Sequence, residues 1–370
     1  MHKLLKKIAL GLNILAATAL LISYLSALIS PAITVIPSFF ALAYPYILLL
    51  NIFFIILWGV RQKKEVFISV LAILIGLTHF NNNFRFGRNE PTEYDFQVVS
   101  YNVRLFNQYE DKTNSKADII SVLIEDSPGI ICLQEVYLDG SQDIRTGLTR
   151  YLQGQYDHHL KAVSQGRYGF YGISTVSVYP IVGRGDIVHP KSSSLTIYTD
   201  LRIGSDTIRV YNNHLQSFRL KRMQNSFIEE ISGISQTDPV DEIRNLSTSL
   251  KDGFVQRALQ SKRVREHIKS SPYPVIVCGD FNDTPVSYSY RKMRSGLKDA
   301  FVEAGHGAGF TYRDKYPANR IDYILYDELF ECSGFDINRV RFSDHYPVKA
   351  YFRLPGEKGV SQNQHSPRKE

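Results

Sequence analysis

An α/β domain carried behind two or three membrane-spanning helices is the fold class the sequence predicts. Three observations lead there. A long stretch within the first 80 residues is free of charge. From residue 94 onward, short β-rich runs alternate with helical segments and turn residues. Several of those runs alternate so that one face is apolar and its last members are polar, as in strands that end together at a rim.

The membrane region comes first. From Ile8 to Val60 there are 53 consecutive residues without Asp, Glu, Lys, Arg or His. That is too long and too apolar for the core helix of a soluble domain. Pro31 and Pro37 interrupt it, leaving Ile8–Ile29 and Phe39–Val60, each about 33 Å long as a helix and so long enough to span. A third apolar run, Val66–Phe80, follows the basic loop Arg61-Gln62-Lys63-Lys64 and is short for a span. Lys6-Lys7 followed by apolar residues up to Ser30-Pro31 has the outline of a signal peptide. Its apolar part exceeds the usual length and more membrane sequence follows, so a retained helix is expected. Both basic flanks belong in the cytoplasm. With three spans the rest of the chain lies outside; with two it is cytoplasmic. The expectation is a multi-pass inner (plasma) membrane protein with its soluble domain on the extracytoplasmic side.

Charge follows the same division. The chain holds 43 Lys and Arg against 36 Asp and Glu, a formal +7, which points to an acidic partner such as nucleic acid if it is evenly spread. It is not. Residues 1–65 hold Lys3, Lys6, Lys7, Arg61, Lys63 and Lys64 against Glu65 alone, so +5 flanks the membrane segments and +2 is left for the remainder. With 44% hydrophobic and 21% charged residues, wholesale disorder and a collagenous chain are excluded. Three cysteines make neither a disulfide framework nor a CxxC site, and Cys132 and Cys278 sit in apolar runs as buried hydrophobes.

Residues 81–93 are polar and read as a linker, residues 94–354 as the α/β domain, and residues 355–370 as a disordered tail. Within the domain, one strand face is read as Val98, Ser100, Asn102; another as Ile131, Leu133, Glu135. The pattern repeats in Ile208, Val210, Asn212, His214 and in Ile276, Cys278, Asp280, Asn282. A carboxylate or imidazole continuing a buried face is expensive unless something satisfies it. For one strand, a polar residue simply leaving the core is the better explanation; four together indicate a shared ligand-binding rim. Asp322 opens a further strand, and Asp344-His345 sits in a turn before the strand Val348–Phe352. Asp322 offers a carboxylate to orient the His345 imidazole.

The ordered set SYNVR, LQE, STVSVYPI, NNHLQ, GDFND, RIDYI and SDHYP resembles the endonuclease/exonuclease/phosphatase superfamily, the deoxyribonuclease-I-like metal-dependent phosphoesterases. The resemblance runs in motif order from Phe96 to Phe352, with GDFN and SDH the most specific parts. It implies a four-layer α/β sandwich, two packed sheets flanked by helices, with the active site at one rim. It implies further that Glu135 is the principal metal carboxylate, with Asn102 and Asp344 close to the metal or its water. Mg²⁺ suits such oxygen ligands, with Mn²⁺ as the alternative. By the same resemblance Asp280 orients or deprotonates the attacking water. Asn282 binds a phosphoryl oxygen, with Asn212 a second substrate contact that alternatively pins its strand end. His345, aligned by Asp322, bonds the phosphoryl group or acts as base, and His214 is a phosphate ligand or proton donor to the leaving oxygen.

Departures narrow the substrate. Val277-Cys278 stands before Gly279-Asp280 where the inositol-phosphatase branch carries a tryptophan, and RIDY stands in place of its cysteine-aspartate-arginine motif. HLQ is similar to bacterial sphingomyelinases. Ser217–Ser271 reads as an added excursion containing a helix with Phe254, Ala258, Ser261, Val264 and Ile268 on one face and Arg257, Lys262 and Arg263 off it. That helix reads as a cover for a sheet, with a membrane or substrate contact as the alternative. The leading expectation is a membrane-anchored Mg²⁺-dependent phosphodiesterase or phosphatase acting on a small or lipid-linked phosphoester. The alternatives are an endonuclease on DNA or RNA, which a domain of +2 disfavours, and a non-catalytic membrane receptor. The sequence specifies no protein partner.

Overall fold

The computed structural model describes residues 2–87, 93–107, 115–125, 127–138, 156–164, 170–190, 192–218, 239–313 and 319–354. The expected tail, 355–370, lies outside them. The chain forms two compact units, each discontinuous in sequence. One comprises Met1–Phe80, Leu215–Arg263 and Asn282–Met293; the other comprises Asn81–His214, Val264–Phe281 and Arg294–Glu370.

In the first unit, α1 (His2–Leu25) is straight, and its Lys3–Leu25 stretch is long and apolar enough to cross a membrane. The second and third expected spans are each occupied by a bent pair of helices. Where Phe39–Val60 was expected as one rod, α2 (Ile36–Leu42) and α3 (Tyr44–Val60) meet at a 70° bend. Where Val66–Phe80 was expected, α4 (Val66–Ile75) and α5 (Leu77–Asn83) meet at 72°. Among the described residues there is one unbroken span, or three if each bent pair counts as one. Pro45 accounts for the first bend, because it cannot donate into the preceding turn and sits in the first turn of α3. At the second, Gly76 sits at the junction and leaves room for the Tyr24 ring, which a Cβ there would meet at 1.9 Å.

The helices are joined by polar groups and clothed in apolar ones. Trp58 Nε1 donates to Asn13 Oδ1 (2.9 Å), Asn13 Nδ2 to Ser69 Oγ (2.6 Å), and Ser69 Oγ to Asn51 Oδ1 (2.9 Å). Asn51 Nδ2 closes the chain on Ala16 O and Ile47 O. All four side chains are buried, while Leu12, Leu15, Leu49, Phe53, Ile56, Phe67 and Leu71 face outward. That inversion of the soluble pattern is the one by which helices associate in lipid. Lys6 and Glu65 pair at 2.8 Å at the basic end.

Helix α7 (Pro239–Lys269) buries Phe254, Ala258, Ser261, Val264 and Ile268, as its periodicity indicates. Lys262 and Arg263 are exposed. Arg257, placed off that face by the sequence, is corrected: it is fully buried. Helix α8 (Tyr288–Arg294) follows the GDFND segment.

The second unit is built on two six-stranded mixed sheets flanked by helices. Its strands are β1 (Phe84–Arg85), β2 (Phe96–Asn102), β3 (Ile130–Leu138), β4 (Asp157–Ser164), β5 (Phe170–Ser177), β6 (Ile181–Asp186), β7 (Leu195–Ile203), β8 (Asp206–His214), β9 (Val275–Asp280), β10 (Lys298–Asp299), β11 (Gly307–Ala308), β12 (Asp322–Tyr326), β13 (Glu331–Ile337) and β14 (Val348–Arg353). One sheet runs β13-β14-β2-β3-β5-β4 and the other β10-β12-β9-β8-β7-β6; among the described residues, β2–β3 and β8–β9 are the parallel pairs within them. Part of the expected linker is instead structured, since β1 pairs with β11 directly after α5.

The core lies between the sheets. Val98, Ile130, Cys132, Val348 and Ala350 from one sheet and Ile208, Val210, Ile276, Cys278 and Ile324 from the other form a single buried cluster. On the outer face of the first sheet, Val99, Tyr101, Ile131 and Leu133 pack with Ile119, Ile120 and Leu123 of α6 (Ser115–Ile124). On the second sheet, Tyr211 OH bonds His267 Nδ1 of α7 at 2.9 Å. The alternation read for β2, β8 and β9 therefore holds. That for β3 does not: Ile131 and Leu133 face outward, and Ile130 and Cys132 face the opposing sheet.

Candidate active site

Register brings the polar strand ends level. His214 pairs with Asp280 across β8–β9, and Asp280 pairs with Asp322 across β9–β12, so three functional groups end one sheet side by side. Gly279 lets β8 and β9 close up there. Its φ is +127° and a Cβ would lie 2.0 Å from Asn213 O, so only glycine fits.

The opposing sheet supplies Asn102 and Glu135. Asn102 ends β2 on the inter-sheet face and Nδ2 donates to Asp280 Oδ2 (3.0 Å) and Glu135 Oε1 (3.3 Å). Glu135 reaches the site through a β-bulge. Pairing of β3 with β5 shifts between Leu133 and Val136, and Glu135 adopts a left-handed φ of +52°. The bulge turns its side chain away from the outward course set by Ile131 and Leu133. A left-handed non-glycine residue costs about 1–3 kcal/mol and persists where the surroundings over-determine it.

Two histidines complete the cluster. His345 Nδ1 is 2.9 Å from Asp322 Oδ2, and its Nε2 faces Asp280 Oδ2 at 3.7 Å. His214 Nε2 lies 3.3 Å from Glu135 Oε1 and 3.9 Å from Asp280 Oδ2; its Nδ1 meets Tyr171 OH at 2.5 Å. Asp344 Oδ2 lies 3.6 Å from Arg104 Nε, and Oδ1 is 3.2 Å from Ser343 Oγ, which also reaches Asn102 O at 2.9 Å.

The electrostatics separate the carboxylates. Burial works against ionisation of Glu135, but the bond from His214 and the charges of His214 and His345 prevail and hold it at about 2. Asp280 is pushed up to about 6 by burial and by Asp322, against the pull of His345. Asp344 is raised by burial, with Glu135 adding to the effect. Burial opposes protonation of both histidines. The carboxylates outweigh it, raising His214 through Glu135 and His345 well upward through Asp322 and Asp280.

Of the residues read from the sequence, the structure brings together Asn102, Glu135, His214, Asp280, Asp322 and His345, with Asp344 beside them. Asn212 is corrected. Its Nδ2 donates to Leu133 O and Ser174 O and its Oδ1 accepts from Gln134, so both amide protons go to fastening the sheets together and neither is left for substrate. Asn282 lies in the first unit, where its Nδ2 donates to Leu215 O at 3.1 Å. Sequence reading missed Tyr171, the partner of His214. It is a lone tyrosine on a strand, with no spacing to mark it.

The donor set fits a hard divalent cation: carboxylates and an amide, with Cys132 and Cys278 buried in the core below. Asp280, Asp322 and His345 have ligand atoms within 4.8 Å of one another. Asp322 Oδ2 and His345 Nδ1 are already spent on each other, however, and both side chains are almost wholly buried. Glu135, with a quarter of its side chain exposed, is the open carboxylate. Its mutual repulsion with Asp344 is what a cation would relieve.

Comparisons with known proteins bear on the fold and the family. Residues 6–83 match the profile of a "Domain of unknown function (DUF8431)". Among solved structures, an endonuclease/exonuclease/phosphatase from Beutenbergia cavernae is similar at 18% identity and a TM-score of 0.51, covering 71% of this chain and 72% of that one. A protein of the same description from Bacteroides thetaiotaomicron is 17% identical, with a TM-score of 0.51 and 71% and 98% covered. The human Nocturnin catalytic domain is 18% identical, with a TM-score of 0.51 and 75% and 98% covered. A search of curated proteins returned no match. Residues 99–345, well over half of the sequence, match the profile described as "Endonuclease/Exonuclease/phosphatase family", and the chain belongs to that family.

Proposed function

We propose that the protein is a membrane-anchored, Mg²⁺-dependent hydrolase of small or lipid-linked phosphoesters. The observation that carries this reading is the convergence of Asn102, Glu135, His214, Asp280 and the Asp322–His345 pair at one rim. Family members are generally phosphoester hydrolases, and that cluster has the parts the reaction needs.

Glu135, with Asn102 and Asp344, would hold the cation. When bound, Mg²⁺ (or Mn²⁺) neutralises charge on the phosphoryl oxygens. Asp280, near 6, is poised to accept a proton from the attacking water at neutral pH. His345 donates its Nδ1 proton to Asp322, and the charges of Asp322 and Asp280 favour the imidazolium, so its Nε2 also carries a proton for the phosphoryl group as charge accumulates. His214 is fixed by Tyr171 and offers a proton to the leaving oxygen. Asn282 contributes a phosphoryl-oxygen contact.

Anchoring is supported by the apolar exterior and polar interior of the N-terminal helices. On this reading the bent pairs each make one span, and both basic flanks stay in the cytoplasm. The catalytic domain is then extracytoplasmic, and a reporter fused after Asn82 is expected to respond as an outside one. A cytoplasmic signal there contradicts three spans.

Full-length protein in vesicles, assayed with Mg²⁺ on bis-p-nitrophenyl phosphate, sphingomyelin and supercoiled plasmid, tests the substrate class. Hydrolysis of the first two above the plasmid is expected. Plasmid cleavage as the dominant activity establishes the endonuclease alternative, and no hydrolysis of any substrate sinks the enzymatic reading.

A further inference from the structure

The segment carrying Asn282 is fastened by an apparatus that the catalytic motifs do not include. Arg257 of α7 has no exposed surface. Its Nε lies 3.2 Å from Asp283 Oδ2, the residue after Asn282, and its Nη1 donates to Gln216 O at 2.8 Å. The guanidinium is stacked against Phe218 (4.0 Å) and Phe254 (5.2 Å). One turn further along α7, Gln260 Oε1 accepts from Gln216 N at 2.9 Å. Asn282 Nδ2 in turn donates to Leu215 O. Residues 215–218 and 282–284 are thus tied to each other and to one face of α7.

The N-terminal helices hold the same segment from its other end. Thr284 Oγ1 donates to Ala41 O at 3.4 Å and Arg291 Nη1 to Ala27 O at 3.3 Å. Phe39 of α2 meets Phe254 edge to face, with centroids 5.3 Å apart. Ala27 and Ala41 lie at the end of the bundle away from the Lys6–Glu65 pair.

Two features require such a clamp. Asn282 has a left-handed φ of +53°, a conformation that persists only where its surroundings over-determine it. A buried guanidinium is also a poor choice for stability alone, since a well-packed apolar residue does as well or better. What it supplies is a planar fork with fixed directions.

We propose that Arg257, through Asp283 and Gln216, is the positioning residue for Asn282, with the N-terminal helices as the opposite jaw. The proposal rests on the reading of Asn282 as a phosphoryl-oxygen contact.

A double-variant cycle on the full-length protein tests it, using bis-p-nitrophenyl phosphate and Mg²⁺ with kcat and KM resolved. Asn282→Ala is expected to lower kcat/KM on the order of 10²-fold, and Arg257→Lys about 10-fold, chiefly in kcat. The double variant is expected to be no worse than Asn282→Ala alone. Wild-type kcat/KM in Arg257→Lys, or a double variant whose loss is the product of the two, overturns the positioning role. Asp283→Asn runs the same cycle from the other partner if Arg257→Lys does not accumulate folded. Wild-type activity in Asn282→Ala removes the phosphoryl role of Asn282, and the proposal falls with it.

Discussion

Glu135→Gln is expected to lower kcat/KM for phosphodiester hydrolysis by about 10³-fold or more, roughly 4 kcal/mol of transition-state stabilisation, with the circular dichroism spectrum unchanged. The substitution keeps the volume and the bulge and removes only the charge. Glu135 is held ionised at about 2 and retains access to solvent, whereas Asp280 and Asp322 are almost wholly buried. A cation that keeps several waters needs an accessible, charged oxygen donor, and Glu135 meets both conditions. Near wild-type activity in Glu135→Gln would move the cation elsewhere in the cluster, with Asp280 the next candidate.

His345→Gln is expected to cost about 10²–10⁴-fold in kcat, the range of a positioned proton-transfer or charge-stabilising group. Asp322→Asn is expected to approach the same loss without touching substrate. An asparagine presenting its NH₂ to Nδ1 leaves a neutral ring with its one proton on Nε2, and one presenting its oxygen keeps that proton on Nδ1; either way the carboxylate charge that raises the imidazole and favours the imidazolium is lost. Because the two residues act as a unit at 2.9 Å, their losses should not multiply. A double variant with the product of both losses shows them to be independent and removes the dyad from the mechanism.

Most of the site was legible because strands with a period of two must show where they leave the core. Asn102, His214 and Asp280 each continue a face whose earlier members, Val98, Val210 and Cys278, lie in the cluster between the sheets. Glu135 was found for a different reason. Its motif marks it, while its alternation with Ile131 and Leu133 would aim it outward; one left-handed residue in a bulge redirects it. Alternation cannot register a bulge before the partner strand is known. Asn212 shows the converse: it continues the right face, yet its amide serves Leu133, Ser174 and Gln134. A buried asparagine and a ligand-binding one look alike until their partners are seen.

The helices divide in the same way. The buried face of α7 followed from spacing, but Arg257 lay just off the apolar stripe, and its burial depends on Asp283 and Gln216, distant in sequence. In the membrane region, the apolar stretches are legible in the sequence and the bends within two of them are not. Hydropathy takes no account of a Tyr24 ring lying where a side chain of residue 76 would be. Nor does sequence order suggest that Asn282–Met293 groups with the first 80 residues.

The most direct measurement is the Mg²⁺ dependence of bis-p-nitrophenyl phosphate hydrolysis by the full-length protein in vesicles, titrated after removal of divalent ions with a chelator. No turnover without added ion, saturable recovery with Mg²⁺, and a much weakened Mg²⁺ response in Glu135→Gln are expected from a cation held at the end of the bulged strand. Turnover that survives chelation, or a Glu135→Gln titration that overlays the wild type, would contradict a Glu135-centred phosphoester hydrolase.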